Sequence, residues 1–94
     1  MAEERNGSTV FVGKKPVMSY VLACLTLFQN GTVDITIKAR GRAISKAVDT
    51  AQILTKKFVP DVTVKSIQLA TEMVRSVDSG ETSNVSSMEI HLSK

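Results

Sequence analysis

Ninety-four residues with 43% hydrophobic but only 4% aromatic side chains, and twelve Lys and Arg against nine Asp and Glu, describe one small domain with an aliphatic core and a net charge of +3. No apolar run approaches the roughly 18 residues that span a bilayer; the opening Met1-Ala-Glu-Glu-Arg-Asn-Gly7 is too acidic for a signal peptide, and the single Cys24 excludes an intramolecular disulfide. The expectation is a soluble, cytoplasmic protein, short enough that oligomerisation would help it bury apolar surface.

A polar tail, residues 1–7, is expected to be flexible and to precede a single domain over residues 8–94. Ser8-Thr-Val-Phe-Val-Gly13 is β-branched and aromatic and ends in glycine, which predicts a short buried strand. Gly13-Lys14-Lys15-Pro16 then opens a helix. Proline is tolerated in the first turn, where a missing N–H costs nothing, and Asn30-Gly31 supplies the stop. This helix is apolar almost all the way round, from Val17 and Met18 through Leu22 and Leu25 to Phe28. A helix against a sheet should keep a solvated side. Either loops cover the extra face or it helps to make a subunit interface, and a homodimer is the expectation on the second reading.

Val33 to Ala39 alternates apolar and polar residues with period two and predicts a second strand. Ala43 to Phe58 carries a helical stripe of Ile44, Ala47, Val48, Ala51, Leu54 and Phe58. Ser45, Lys46, Asp49, Gln52, Lys56 and Lys57 take the opposite face, where Ile53 reads as a lone exposed apolar side chain. Val59-Pro60-Asp61 ends this helix. The last third reads as a long hairpin. Val62 and Val64 share one parity and Ile67, Leu69 and Met73 the other, which predicts a bulge between them. Asp78-Ser79-Gly80-Glu81 makes the turn, Met88, Ile90 and Leu92 alternate on the returning strand, and the polar Ser76–Ser87 projects as a mobile arm. The order β-α-β-α-β-β implies an α+β two-layer sandwich, with two helices on one face of a four-stranded mixed sheet.

Charge placement points to function. Both helices open with cations, Lys14-Lys15 and Lys38-Ala39-Arg40-Gly41-Arg42, where the helix dipole favours acids. Unpaired N–H groups beside Lys and Arg make a natural phosphate site. Residues 14–57 hold eight cations against two anions, and the remainder four against seven, so the positive charge is a footprint on one stretch. The candidate nucleic-acid-binding residues are Lys14, Lys15, Lys38, Arg40, Gly41, Arg42, Lys46 and Arg75. Lys56 and Lys57 lie near a helix C-terminus, where cations are favourable anyway. Phe11, Tyr20, Phe28 and Phe58 fall mostly on apolar positions, so the exposed rings that single strands stack on are not expected, and duplex DNA or structured RNA fits better. Cys24 reads as a buried small hydrophobe and His91 as solvated or at an interface. One His and one Cys far apart make no nucleophile–base pair. No Cys/His cluster has metal-ligand spacing, and the Gly41 loop lacks the P-loop pattern. Neither an enzyme, a cofactor nor a metal is expected.

Val12-Gly-Lys-Lys-Pro-Val-Met-Ser-Tyr-Val21 and Ile37-Lys-Ala-Arg-Gly-Arg-Ala-Ile-Ser-Lys-Ala-Val-Asp49 resemble the Alba family of archaeal DNA- and RNA-binding chromatin proteins. The resemblance runs from Val10 to Leu92. It implies a chromosome-associated dimer, homodimeric or paired with a paralogue, that coats and compacts double-stranded DNA, with arms reaching along the minor groove. Lys14, Lys15, Arg40 and Arg42 match the family's phosphate-contacting residues. Lys14 also matches a lysine whose acetylation accompanies weaker DNA binding, and Phe58 an aromatic involved in dimer–dimer contact. RNA-binding relatives, including subunits of ribonuclease P-type complexes, keep an RNA role open. The arm departs from the pattern: Ser76-Val-Asp-Ser-Gly-Glu-Thr-Ser-Asn84 has Asp78 and Glu81 where the family often carries cations, with Arg75 the one cation close by. Affinity is therefore expected to rest on the body loops.

Overall fold

The computed structural model describes residues 7–94. Among them the order is β1 (Gly7–Phe11), α1 (Val17–Gln29), β2 (Asp34–Arg40), α2 (Ile44–Ile53), β3 (Thr63–Arg75) and β4 (Thr82–Ser93). The strands form one mixed sheet in the order β1-β2-β4-β3, parallel between β1 and β2 and antiparallel elsewhere. This is the α+β arrangement expected from the pattern. The tail expected over residues 1–7 lies outside the described residues except for Gly7, which opens β1 opposite Asp34.

The core follows from period-two strands meeting period-3.6 helices. Ile35 and Ile37 of β2 lie opposite Leu92 and Ile90 of β4, and all four are buried. Val21, Cys24 and Phe28 of α1 pack on them with Ala47, Ala51 and Leu54. Each fully buried aliphatic or aromatic side chain of this size contributes about 1.5–3 kcal/mol. Thr50 is also fully buried, and its hydroxyl donates to the Lys46 carbonyl at 2.8 Å. That bond answers its one polar atom. At the end of α1, Gly31 takes φ +100 and the N–H groups of Gly31 and Thr32 reach the carbonyls of Phe28 and Leu27 at 3.1 and 3.0 Å. The Asn30-Gly31 stop is a Schellman motif.

The second helix is not one regular helix over 43–58. Gly41–Ala43 form a 3₁₀ turn, α2 follows, and Leu54–Phe58 form a π turn. The Val59 N–H closes it on the Leu54 carbonyl at 2.9 Å. The wider turn carries Phe58 off the buried stripe and leaves it 43% exposed. Ile53, expected to face outward, is half-buried and packs against the core. The reason is Thr50: this polar residue sits on the buried face, three positions before Ile53 and therefore beside it.

Two further expectations are corrected at the sheet edges. β1 is not a buried strand. It is an edge covered on one side, so Val12 is buried and Val10 packs on the core while Phe11 points to the other face and is 71% exposed. Nor do loops cover the extra face of α1, where Met18 and Leu22 stay exposed. The parity shift in β3 is a bulge, as expected: pairing passes from Val64 with Leu92 to Ser66 with His91, leaving Lys65 extra. Val64, Ile67 and Leu69 thereby share the helix side of the sheet. α1 lies against β1, and α2 against β2 and β4, so this row on β3 stays largely uncovered. Beyond it the arm is a regular ladder as far as the Arg75–Thr82 pair, closed by the Ser76 N–H on the Glu81 carbonyl.

Candidate nucleic-acid interface

Because β1 and β2 are parallel neighbours, they end at the same edge of the sheet. The loops that follow them lead to the N-termini of α1 and α2 side by side. Neither helix start has a side-chain cap or an acid in its first turn. The Ile44 N–H that opens α2 already bonds the Gly41 carbonyl, so the donors that can face water or an anion are the first N–H groups of α1 and of the 3₁₀ turn ahead of α2. An open concavity of about 940 Å³ lies here. Lys14 lines it from the first loop, Lys38 and Arg40 from β2, Arg42 from the 3₁₀ turn and Lys46 from α2.

The loops are fixed from beneath. The Tyr20 oxygen accepts the N–H groups of Gly13 and Lys15 at 2.9 and 3.0 Å. Burial alone would raise the pKa of this phenol. The hydrogen bonds from Lys15 and Gly13 and the charges of Lys46 and Lys15 outweigh that effect and hold it below its ordinary value. Lys46 Nζ donates to the Lys15 carbonyl at 2.9 Å and ties α2 to the first loop. Gly41 takes φ +59, a left-handed conformation that turns β2 into the 3₁₀ turn.

Two of the cations are already paired. Arg40 Nη1 donates to Glu72 of β3 at 3.2 Å, and Lys38 Nζ lies 3.4 Å from Glu89 of β4. Both pairs cross the outer face of the sheet. Glu89 also lies 3.6 Å from His91 Nε2, while His91 Nδ1 shares a 3.0 Å hydrogen bond with Thr36. Lys14, Lys15 and Arg42 have no carboxylate at salt-bridge distance among the described residues. The net result is a rim of cations with a small acidic counterweight.

Of the residues picked out by sequence, Lys14, Lys38, Arg40, Arg42 and Lys46 line one concavity, with Lys15 and Gly41 in its supporting loops. Arg75 does not join them. It sits at the far end of β3 on the parity of Met73, opposite to that of Glu72. Phe58, Lys56 and Lys57 are exposed on the π turn, outside the lining. Phe11 and Glu72 were missed: both line the concavity, and Phe11 sits opposite Lys38 in the β1–β2 register. Cys24 is fully buried, and burial pushes its thiol up to about 11. Among the described residues, no group of three or more His, Cys, Asp or Glu is placed to hold a metal.

A family model described as Alba matches residues 8–71. The chain belongs to the Alba family. It is 56% identical over 87 residues to DNA/RNA-binding protein Alba 1 of Archaeoglobus fulgidus, spanning 93% of this chain and 96% of that protein. It is 53% identical over 87 residues to DNA/RNA-binding protein Alba of Methanocella arvoryzae, spanning 93% and 90%. The solved structure of Alba from Thermoplasma volcanium superposes with a TM-score of 0.86 at 53% identity, covering 92% of this chain and 99% of that one. The Alba match takes in both basic loops, whereas Arg75 and the acidic tip lie beyond it.

Proposed function

We propose that this Alba-family protein binds double-stranded DNA, and RNA, without reading sequence, and that it coats and compacts chromosomal DNA as a dimer. The observation that carries the reading is the convergence of Lys14, Lys38, Arg40, Arg42 and Lys46 on one concavity beside two uncapped helix N-termini. Such a surface neutralises phosphates and releases condensed counterions, which drives sequence-independent binding. Arg40 and Arg42 can each fork onto phosphate oxygens. The names of the two relatives, both DNA/RNA-binding, support the ligand class. The dimer is supported by the exposed apolar row of β3, which adjoins α2 where Ile44 and Leu69 line a shallow groove. No helix among the described residues is long and apolar enough to cross a membrane. The domain acts by binding rather than by catalysis, and holds to the chromosome through the same surface.

The test is anisotropy titration of labelled DNA duplexes of two unrelated sequences and of RNA duplexes matched to them. Affinities within about twofold between the two sequences are expected for a phosphate-driven binder. A strong preference for one sequence contradicts the proposal. A preference of about tenfold or more for RNA selects the RNA-directed role over DNA coating.

A further inference from the structure

We propose that Phe11 is a stacking platform for an unpaired nucleobase, which makes the basic concavity a subsite for single-stranded nucleic acid. The inference rests on reading that concavity as a nucleic-acid surface and adds a ligand class to it. Phe11 is the last residue of the edge strand β1, on the face away from the helices, and 71% exposed. Its strand neighbours Val10 and Val12 turn to the core, so period two holds the ring outward. Phe28 and Tyr20, by contrast, are buried in the core.

What surrounds Phe11 decides its partner. It lines the concavity together with Lys14, Lys38, Arg40 and Arg42. Lys38 Nζ lies 6.0 Å from the ring centroid and 3.4 Å from Glu89, so the nearest cation leans on a carboxylate at the outer limit of cation–π range. A ring beside a row of cations is the pairing single strands require: the cations hold the backbone while bases stack on the aromatic face. A paired base inside a duplex has both faces taken by its neighbours and offers none to Phe11. An unpaired base has a free face, in DNA or in RNA alike. The exposed ring thus supplies the feature whose absence from the sequence pattern favoured duplexes.

The chain contains no tryptophan, so Phe11→Trp introduces a single indole, excited selectively over Tyr20, at the proposed contact. The probes are labelled 20-mers of oligo(dT) and oligo(rU) and a mixed-sequence DNA duplex of equal length, all at one salt concentration. Phe11→Trp is expected to bind the single strands at least as tightly as wild type, with emission quenched by them and not by the duplex. Phe11→Ala and Phe11→Leu are expected to lose about fivefold or more in single-strand affinity, and several times less than that in duplex affinity. Phe11→Leu separates stacking from greasy contact, because it keeps apolar bulk and removes the ring. Circular dichroism melting verifies that the variants fold. Comparable quenching by duplex, or equal losses for single strands and duplex, would overturn the proposal, as would no loss in Phe11→Ala. Loss with oligo(rU) alone, or oligo(dT) alone, upholds the stacking site and names its source. Failure of the wild type to bind any probe removes the nucleic-acid surface itself, whereas duplex binding without single-strand binding defeats the Phe11 site alone.

Discussion

Arg40 is held by Glu72 at 3.2 Å, and both side chains are about half exposed. An ion pair in that setting contributes about 0–1 kcal/mol, so a phosphate can take the guanidinium at small cost. Glu72 therefore acts as a counterweight to the concavity more than as a stabiliser of the fold. Glu72→Gln is expected to tighten duplex binding two- to fivefold at low salt, with the gain fading as salt screens the exposed charges. Urea denaturation of the variant is expected to change stability by less than about 1 kcal/mol. Weaker binding in Glu72→Gln would mean that the carboxylate positions Arg40 rather than competing for it. Sequence spacing could not have revealed this pair, since Arg40 of β2 and Glu72 of β3 meet only by reaching across β4, which pairs with both strands.

At the scale of elements, the alternation in β2 and the parity shift in β3 were legible, because a strand with one covered face writes its geometry into every second residue. The bulge at Lys65 followed from Val64 and Ile67 falling on opposite parities. The misreadings have separate causes. β1 carries no polar residue between Val10 and Val12, so composition made it look buried on both faces, whereas its place at the edge depends on which strands pair. In α2 the buried Thr50 and the π turn displaced Ile53 and Phe58 from the positions a regular helix gives them. β3 carries the element-scale prediction. Leu69 and Met73 are each 74% exposed on the helix side of the sheet, in a row with Ile67 and Val64. An exposed apolar row of this kind, broken only by Thr71 between Leu69 and Met73, marks an interface, and a second copy of the chain is the proposed occupant. Light scattering at micromolar concentration is expected to give a dimer mass for wild type and a monomer mass for Leu69→Glu. A wild-type monomer, or a Leu69→Glu dimer, would move the interface elsewhere or abolish it.

Over the whole molecule, charge is divided by position. The body end, where β1 and β2 finish together, collects the cations, while the arm tip carries Asp78 and Glu81. Most of the candidate site was legible as cations at two helix starts; what sequence left out was that parallel pairing puts those starts together and leaves Arg75 outside. Binding by this molecule should accordingly depend on the body loops and hardly on the arm. The most direct measurement is duplex affinity across a salt series for wild type and for Arg40→Ala/Arg42→Ala. Phosphate-driven binding gives a steep log–log slope, which should flatten by about 0.9 for each phosphate that the variant no longer neutralises. A variant that keeps the wild-type slope and affinity would contradict the account, because the two arginines that line the concavity would then touch no phosphate.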